Sequence, residues 1–320
     1  MASLPVHVEG VDKTYPNGVR ALKGISFTVA DGEIFGLLGP NGAGKTTTIG
    51  VLTTLVRPTA GRALVAGHDV TADPLAVRRA IGVAFQESVL DNDFSGVANL
   101  RLHARLRGMT RHEADDRIEA LLDVMELTAR ATDGVRTYSG GMRRRLEIAR
   151  ALLSGPRIVL LDEPTVGLDP AVRHEIWYLI KQMRRQQGAT ILLSTHYLEE
   201  AERVCDRVAI VHHGSLVALD TPQQLVKQLG EHVLELVVED NPDSVVKALA
   251  DASLGTGTPL VIANTVSLTL DGEAPDIERT LARVRVAGDA AATTVRRTTL
   301  NDAFLHLTAR YGAHGSDAEA

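Results

Sequence analysis

At 320 residues and 44% hydrophobic, the chain can hold one large domain plus a small one, or two medium domains, although aromatic residues supply only 3%. A net charge of -6 leaves no long-range footprint for nucleic acid, and the single cysteine, Cys205, excludes an intrachain disulfide or a Cys-x-x-Cys metal site and reads as a small buried hydrophobe. The N-terminus lacks the charged lead-in and long apolar run of a secretory leader, and no stretch approaches ~20 consecutive apolar residues, so the chain is expected not to span a bilayer.

In chain order, short strands are predicted at 6–11 and 25–29, then a buried strand at 34–38 that runs into a glycine-rich loop and a helix at 46–55. Strands follow at 62–65 and 81–85, the second ending at Gln86. Charged, Ala- and Leu-rich helices at 98–107 and 111–125 fit a helical insertion in an α/β core. Helix 141–153, strand 158–161, helix 171–187, strand 190–194 and helix 199–205 restore the α/β alternation, which favours a parallel sheet covered on both faces. Pro222 and Gly230 flank a short helix that closes the first domain. Beyond it, strands at 233–239, 260–270 and 284–287 and helices at 242–250 and 274–281 make a small α+β appendage, with a polar tail from Gly312.

The chemistry concentrates in Gly39-Pro40-Asn41-Gly42-Ala43-Gly44-Lys45-Thr46-Thr47. A glycine-rich turn between strand and helix directs backbone N–H groups at phosphate oxygens, and the helix adds its positive end. In this arrangement Lys45 reaches the β- and γ-phosphates, Thr46 offers its hydroxyl to a magnesium ion and Thr47 donates to the α-phosphate. Asp162, at the end of strand 158–161, suits magnesium through its water shell; its neighbour Glu163 suits orientation or deprotonation of an attacking water.

With Tyr138-Ser139-Gly140-Gly141-Met142 upstream of Leu160-Leu161-Asp162-Glu163-Pro164, the chain resembles the ATP-binding cassette ATPases over roughly residues 5–225. The implied fold is a P-loop α/β core with a helical subdomain, here carrying a small C-terminal α+β domain. The chain is accordingly expected to divide into an ATP-binding domain at 1–225 with its helical insertion at about 90–155, an accessory domain at 226–311 and a flexible tail at 312–320. Residues 39–46 match Walker A and 158–163 match Walker B. Ser139, Gly140 and Gly141 match the signature that binds the γ-phosphate of ATP held by the opposite subunit; Tyr138 and Met142 depart from its usual form. The resemblance further makes Gln86 the glutamine that senses γ-phosphate and magnesium, Asp169 part of the loop that crosses the dimer interface, His196 the switch histidine and Tyr15 the aromatic partner of adenine.

A narrower resemblance rests on Tyr138-Ser139-Gly140-Gly141-Met142-Arg143-Arg144-Arg145-Leu146 and on Thr299-Leu300-Asn301-Asp302-Ala303-Phe304-Leu305-His306-Leu307-Thr308. These are similar to the daunorubicin-resistance type of ABC ATPase, whose members serve separate ABC-2 permeases. Family pattern has Glu-Asp-Val-Phe where this chain has Asn301-Asp302-Ala303-Phe304. The implied protein is an ATP- and Mg2+-dependent homodimeric motor, peripheral on the cytoplasmic side of the membrane, that drives export of a hydrophobic drug, antibiotic or lipid-like molecule. A soluble ABC ATPase of translation or DNA repair and an ABC importer motor are the alternatives; no nucleic acid is expected. Within this motif the run Arg143, Arg144, Arg145 is expected on a solvated helix face or in interdomain salt bridges.

Overall fold

A computed structural model describes residues 4–238, 242–251, 259–270 and 290–315. The chain divides into two compact units, Met1–Leu219 and Asp220–Ala320.

In the first unit, strands β1 (Val6–Thr14), β2 (Arg20–Val29), β4 (Ala60–Val65) and β5 (His68–Asp69) form an antiparallel sheet in the order β2-β1-β4-β5. This sheet was not foreseen: the helix-strand alternation downstream says nothing about which early strands pair. A second, six-stranded sheet comprises β3 (Ile34–Leu38), β6 (Ile81–Ala84), β7 (Ile158–Asp162), β8 (Thr190–Thr195), β9 (Arg207–His212) and β10 (Ser215–Asp220), ordered β10-β9-β3-β8-β7-β6. Its neighbours from β9 through β6 are parallel. Every residue of β3, β7 and β8 is buried, as expected where both faces of a parallel sheet are covered. Phe35 of β3 stacks on Phe27 of β2 with ring centroids 5.2 Å apart, which joins the cores of the two sheets. Each such fully buried side chain contributes about 1.5–3 kcal/mol relative to exposure.

Register decides what happens at the sheet's edge. Leu38 pairs with Thr195 and Asp162 with Ser194, so the carboxyl ends of β3, β7 and β8 finish level with one another. Ligands of open parallel sheets collect at such ends. Helix α1 (Lys45–Leu52) leaves β3 after the glycine loop, and α6 (Pro170–Gln187) and α7 (Leu198–Val204) follow β7 and β8. Between β6 and β7 the chain inserts α3 (Gly96–Leu106), α4 (Arg111–Val124) and α5 (Gly140–Leu152). Ser95, Thr110 and Ser139 cap these three helices through hydroxyls that accept a backbone N–H of the first turn.

In the second unit, β11 (His232–Val238), β12 (Leu260–Ile262), β13 (Thr265–Leu270) and β14 (Ala290–Arg297) form an antiparallel sheet ordered β12-β13-β11-β14. Leu234, Leu236, Val266 and Leu268 pack with Val245 and Leu249 of helix α9 (Pro242–Asp251) into a core of their own. The single strand expected at 260–270 is instead a hairpin, because the chain reverses at Ala263 and Asn264 with Ala263 at φ 52°. Strand β14 had no counterpart in the sequence reading. The last helix, α10 (Leu300–Gly315), extends past Gly312, where the polar tail was expected to begin. Asp302 in its first turn accepts the N–H and the hydroxyl of Thr299 through Oδ2, and Arg296 bridges Asp302 and Glu235. The expected helix at 274–281 and strand at 284–287 lie outside the described residues. Among the described residues, no helix is long and apolar enough to cross a membrane.

Candidate active site at the carboxyl end of the parallel sheet

The loop after β3 is held in shape by its own backbone. The Gly39 N–H donates to Thr195 O at 3.3 Å, the Ala43 N–H to Pro40 O at 3.2 Å and the Gly214 N–H to Ala43 O at 3.0 Å. Gly44 starts α1 at φ 108°, and a Cβ there would meet Ala21 O at 2.7 Å, so both conformation and space require glycine. Its neighbour Lys45 is buried and curls back, donating to Gly39 O at 2.8 Å and Pro40 O at 3.1 Å.

The same ammonium lies 3.0 Å from Glu163 Oε1, and His196 Nδ1 lies 2.7 Å from Glu163 Oε2. Lysine, carboxylate and imidazole therefore converge from three successive strand ends. Glu163 leaves β7 in a left-handed conformation at φ 49°, which costs a non-glycine residue of order 1 kcal/mol. Asp162 is buried beside it, with Thr46 Oγ1 3.4 Å from Asp162 Oδ1. Burial pushes the Asp162 carboxyl above its ordinary value, and the neighbouring Glu163 adds to this, while bonds from Ser194 and Thr46 and the charge of Lys45 oppose it.

Ser194 was read only as the end of a strand, yet it organises both acids. Its hydroxyl donates to Asp162 Oδ1 at 2.5 Å and accepts the Glu163 N–H at 3.0 Å. A small hydroxyl residue at the exit of a buried strand was the available signal. Glu200 also went unread in the sequence. It is fully buried on α7 and accepts from Thr165 Oγ1 at 2.9 Å and Trp177 Nε1 at 2.7 Å, tying the segment after Glu163 to α6 and α7.

Of the remaining expected residues, Tyr15 is half-buried with its hydroxyl 3.3 Å from Thr47 Oγ1, at the side of the loop. Lys13 Nζ lies 5.1 Å from the centre of its ring. Gln86 is exposed just beyond β6. Asn41, Gly42, Ser139, Gly140 and Asp169 are exposed, and Gly141 is half-buried at the start of α5. Ser139 Oγ accepts the Met142 N–H at 3.2 Å and Asp169 Oδ1 the Val172 N–H at 3.1 Å, so each caps a helix. Among the described residues no hydrogen bond links Gln86, Ser139 or Asp169 to the Lys45, Glu163 and His196 cluster.

The arginine run behaves only in part as expected, with salt bridges at Arg145 but not a solvated face at Arg144. Arg144 is only 7% exposed and bonds backbone carbonyls of the core, while Arg145 pairs with Glu126 at 2.7 Å and also with Glu175. A charged run in sequence does not announce that the helix carrying it lies against carbonyl-rich strand ends.

Thr46 and Asp162 offer hard oxygen donors of the kind a magnesium ion takes together with water and phosphate oxygens. The whole arrangement, an ammonium in a glycine loop beside a paired carboxylate and imidazole, suits binding a nucleoside triphosphate and directing water at its terminal phosphate.

Comparison with known proteins agrees with this chemistry. The family described as ABC transporter matches residues 22–166. The chain is 40% identical over 317 residues to the doxorubicin resistance ATP-binding protein DrrA of Mycobacterium tuberculosis (strain CDC 1551 / Oshkosh), covering 95% of this chain and 94% of the relative. It is 38% identical over 313 residues to the Nod factor export ATP-binding protein I of Rhizobium sp. (strain N33), covering 97% and 99%. Among solved structures, a dimeric post-hydrolysis ATP-binding cassette bound to ADP and Pi superposes with a TM-score of 0.62 at 28% identity, over 68% of this chain and 98% of that one.

Proposed function

Because the chain belongs to the ABC transporter ATP-binding proteins, which hydrolyse ATP, we propose that it is the motor subunit of an exporter for a hydrophobic drug, antibiotic or lipid-like molecule. The observation that carries export is the length of the similarity. It runs through the C-terminal unit to proteins whose names specify drug resistance or Nod factor export.

In this reading two copies pair head to tail on the cytoplasmic face of the membrane. Each ATP lies between the loop at Gly39, Pro40, Asn41, Gly42, Ala43 and Gly44 of one copy and Ser139, Gly140 and Gly141 of the other. The exposure of Asn41, Gly42, Ser139, Gly140 and Asp169 supports such a shared interface. Tyr15 packs on adenine, Lys45 holds the β- and γ-phosphates and Thr47 bonds the α-phosphate. Thr46, Asp162 and Gln86 hold Mg2+, which neutralises phosphate charge when bound. Glu163, oriented by His196, positions and deprotonates the water that attacks the γ-phosphate, giving ADP and phosphate.

The first unit also carries a groove of about 570 Å3 whose lining includes Leu55, Leu75, Arg79, Leu106, Arg107 and Arg150. Leu55, Leu75 and Leu106 are 65%, 62% and 77% exposed, an apolar rim over a basic floor. This groove receives a cytoplasmic segment of an ABC-2 type permease, and dimer closure moves that segment. The division into an ATP-binding domain, an accessory domain and a tail follows the same reading.

The test is a gentle detergent pulldown of tagged Glu163→Gln protein with MgATP from its native cells. A multispanning membrane protein is expected to copurify. Ribosomal or DNA-repair proteins in its place would overturn the transporter reading, and normal turnover in Ser139→Arg would overturn the shared site.

A further inference from the structure

We infer that Arg144 is a positioning residue that couples the two ATP sites of the dimer, because one guanidinium joins the helix of the signature segment to the backbone on which Gln86, Asp162 and Glu163 stand. The inference rests on the proposed head-to-tail pairing, in which Ser139 serves the partner's ATP.

The geometry is specific. Arg144 Nε donates to Pro164 O at 2.8 Å, Nη1 to Phe85 O at 2.6 Å and Nη2 to Asp162 O at 2.9 Å. Each carbonyl sits in a peptide unit beside a site residue. The Phe85 carbonyl shares its peptide with the Gln86 nitrogen, and the Asp162 carbonyl shares its peptide with the Glu163 N–H, which bonds Ser194. The Pro164 carbonyl shares its peptide with Thr165, whose hydroxyl bonds Glu200. Nη1 also donates to Glu147 Oε2 at 3.0 Å, one turn further along α5, so the buried cation has a buried counter-charge.

Arginine alone among the side chains can make this bracket. Its planar fork presents five donors in fixed directions, and a bond from a charged donor is about twice as strong as a neutral one. Lysine carries its three donors on one nitrogen and cannot reach carbonyls that the guanidinium meets from three separate nitrogens. Helix α5 begins at Gly140 with Ser139 as its cap, so Arg144 sits little more than one turn from the signature serine. A displacement of the strand β7 exit or of the Gln86 segment, of the kind a γ-phosphate imposes, must either break charge-assisted buried bonds or carry the start of α5 with it. The second course is the stiffer path, and it moves Ser139 against the partner's nucleotide. Information about one site thereby reaches the other without passing through the permease.

An ordinary structural arginine would hold the fold but not the communication, and the experiment separates the two. The full-length protein is compared with Arg144→Lys and with Arg144→Gln/Glu147→Ala, which removes both charges so that neither is left buried alone. Melting temperature, affinity for a non-hydrolysable ATP analogue, kcat and the Hill coefficient for ATP are measured. Both variants are expected to bind the analogue within about twofold of the parent while kcat falls at least about tenfold and the Hill coefficient drops from near 2 to about 1. Three results would overturn the inference: kcat and Hill coefficient unchanged, full restoration by lysine, or affinity lost in step with melting temperature. A parent whose turnover survives Ser139→Arg refutes the shared-site reading and this inference with it. A parent that is sensitive to Ser139→Arg but indifferent to the Arg144 variants refutes the inference alone.

Discussion

Replacing Glu163 by glutamine should abolish hydrolysis and, less obviously, tighten nucleotide binding. In the structure Lys45 Nζ is committed to Glu163 Oε1 at 3.0 Å, with both side chains only 5% exposed. In the proposed site a γ-phosphate takes that same ammonium, so nucleotide binding exchanges a carboxylate for a phosphate. Glutamine keeps the size and one acceptor of the side chain but not its charge. A hydrogen bond to a charged group contributes about 1.5–3 kcal/mol, and loss of one ionised partner removes roughly half of it, or about 0.8–1.5 kcal/mol. At 1.4 kcal/mol per decade, the analogue should bind about four- to twelvefold tighter. Repulsion between Glu163 and the phosphate acts in the same direction. The comparison is best made in a Ser139→Arg background, where pairing cannot add avidity, by fluorescence titration with a non-hydrolysable ATP analogue. Equal or weaker binding by Glu163→Gln would show that Lys45 is not restrained by the carboxylate.

Three further outcomes are expected. Gly39→Ala should weaken nucleotide binding and lower the melting temperature, because its Cβ would stand 2.3 Å from Val211 O, a backbone atom of β9; overpacking of this kind costs about 1–3 kcal/mol. Burial, with Arg150 and Arg107 nearby, lowers the pKa of His103 from 6.5 to about 4. The native state therefore resists protonation that the unfolded chain accepts, so stability is full above pH 6.5 and is lost as pH falls towards 4. Thermal melts of His103→Leu should show a shallower loss over that window, and an identical pH profile would remove His103 from the account. Leu55→Asp/Leu106→Asp should leave the ATPase activity of the isolated chain within about twofold while abolishing copurification of the permease; retained copurification would exclude the groove as the docking site.

How much the sequence disclosed depended on the range of the interaction concerned. The shape of the glycine loop could be read because strand, turn and helix are consecutive in the chain. Asp162 and Glu163 could be read because an apolar strand delivers them to an edge. The structure places Lys45, Glu163 and His196 in contact, although 118 and 33 residues separate the successive members of that trio in sequence (163 − 45 and 196 − 163). Pairing of β1 with β4 depends on partners 48 to 59 residues apart (60 − 12 to 65 − 6) and left no local trace. Ser194 and Arg144 escaped for a different reason: part of what each bonds is backbone, which looks the same at every position. The hairpin at Ala263 and Asn264 was hidden because alanine is an unusual residue at positive φ.

The left-handed backbone at Glu163 has a further consequence for drift over generations. That residue holds a conformation glycine would adopt without strain, and it keeps a carboxylate buried beside a second acid. Substitutions that discard the carboxylate therefore relieve backbone strain, burial of charge or both, so selection for folding alone pulls against the residue proposed to activate the attacking water. Copies of this gene released from selection for transport would first become sturdy nucleotide binders that no longer hydrolyse. Such silent cassettes would fold, pair and occupy a permease while contributing no power stroke.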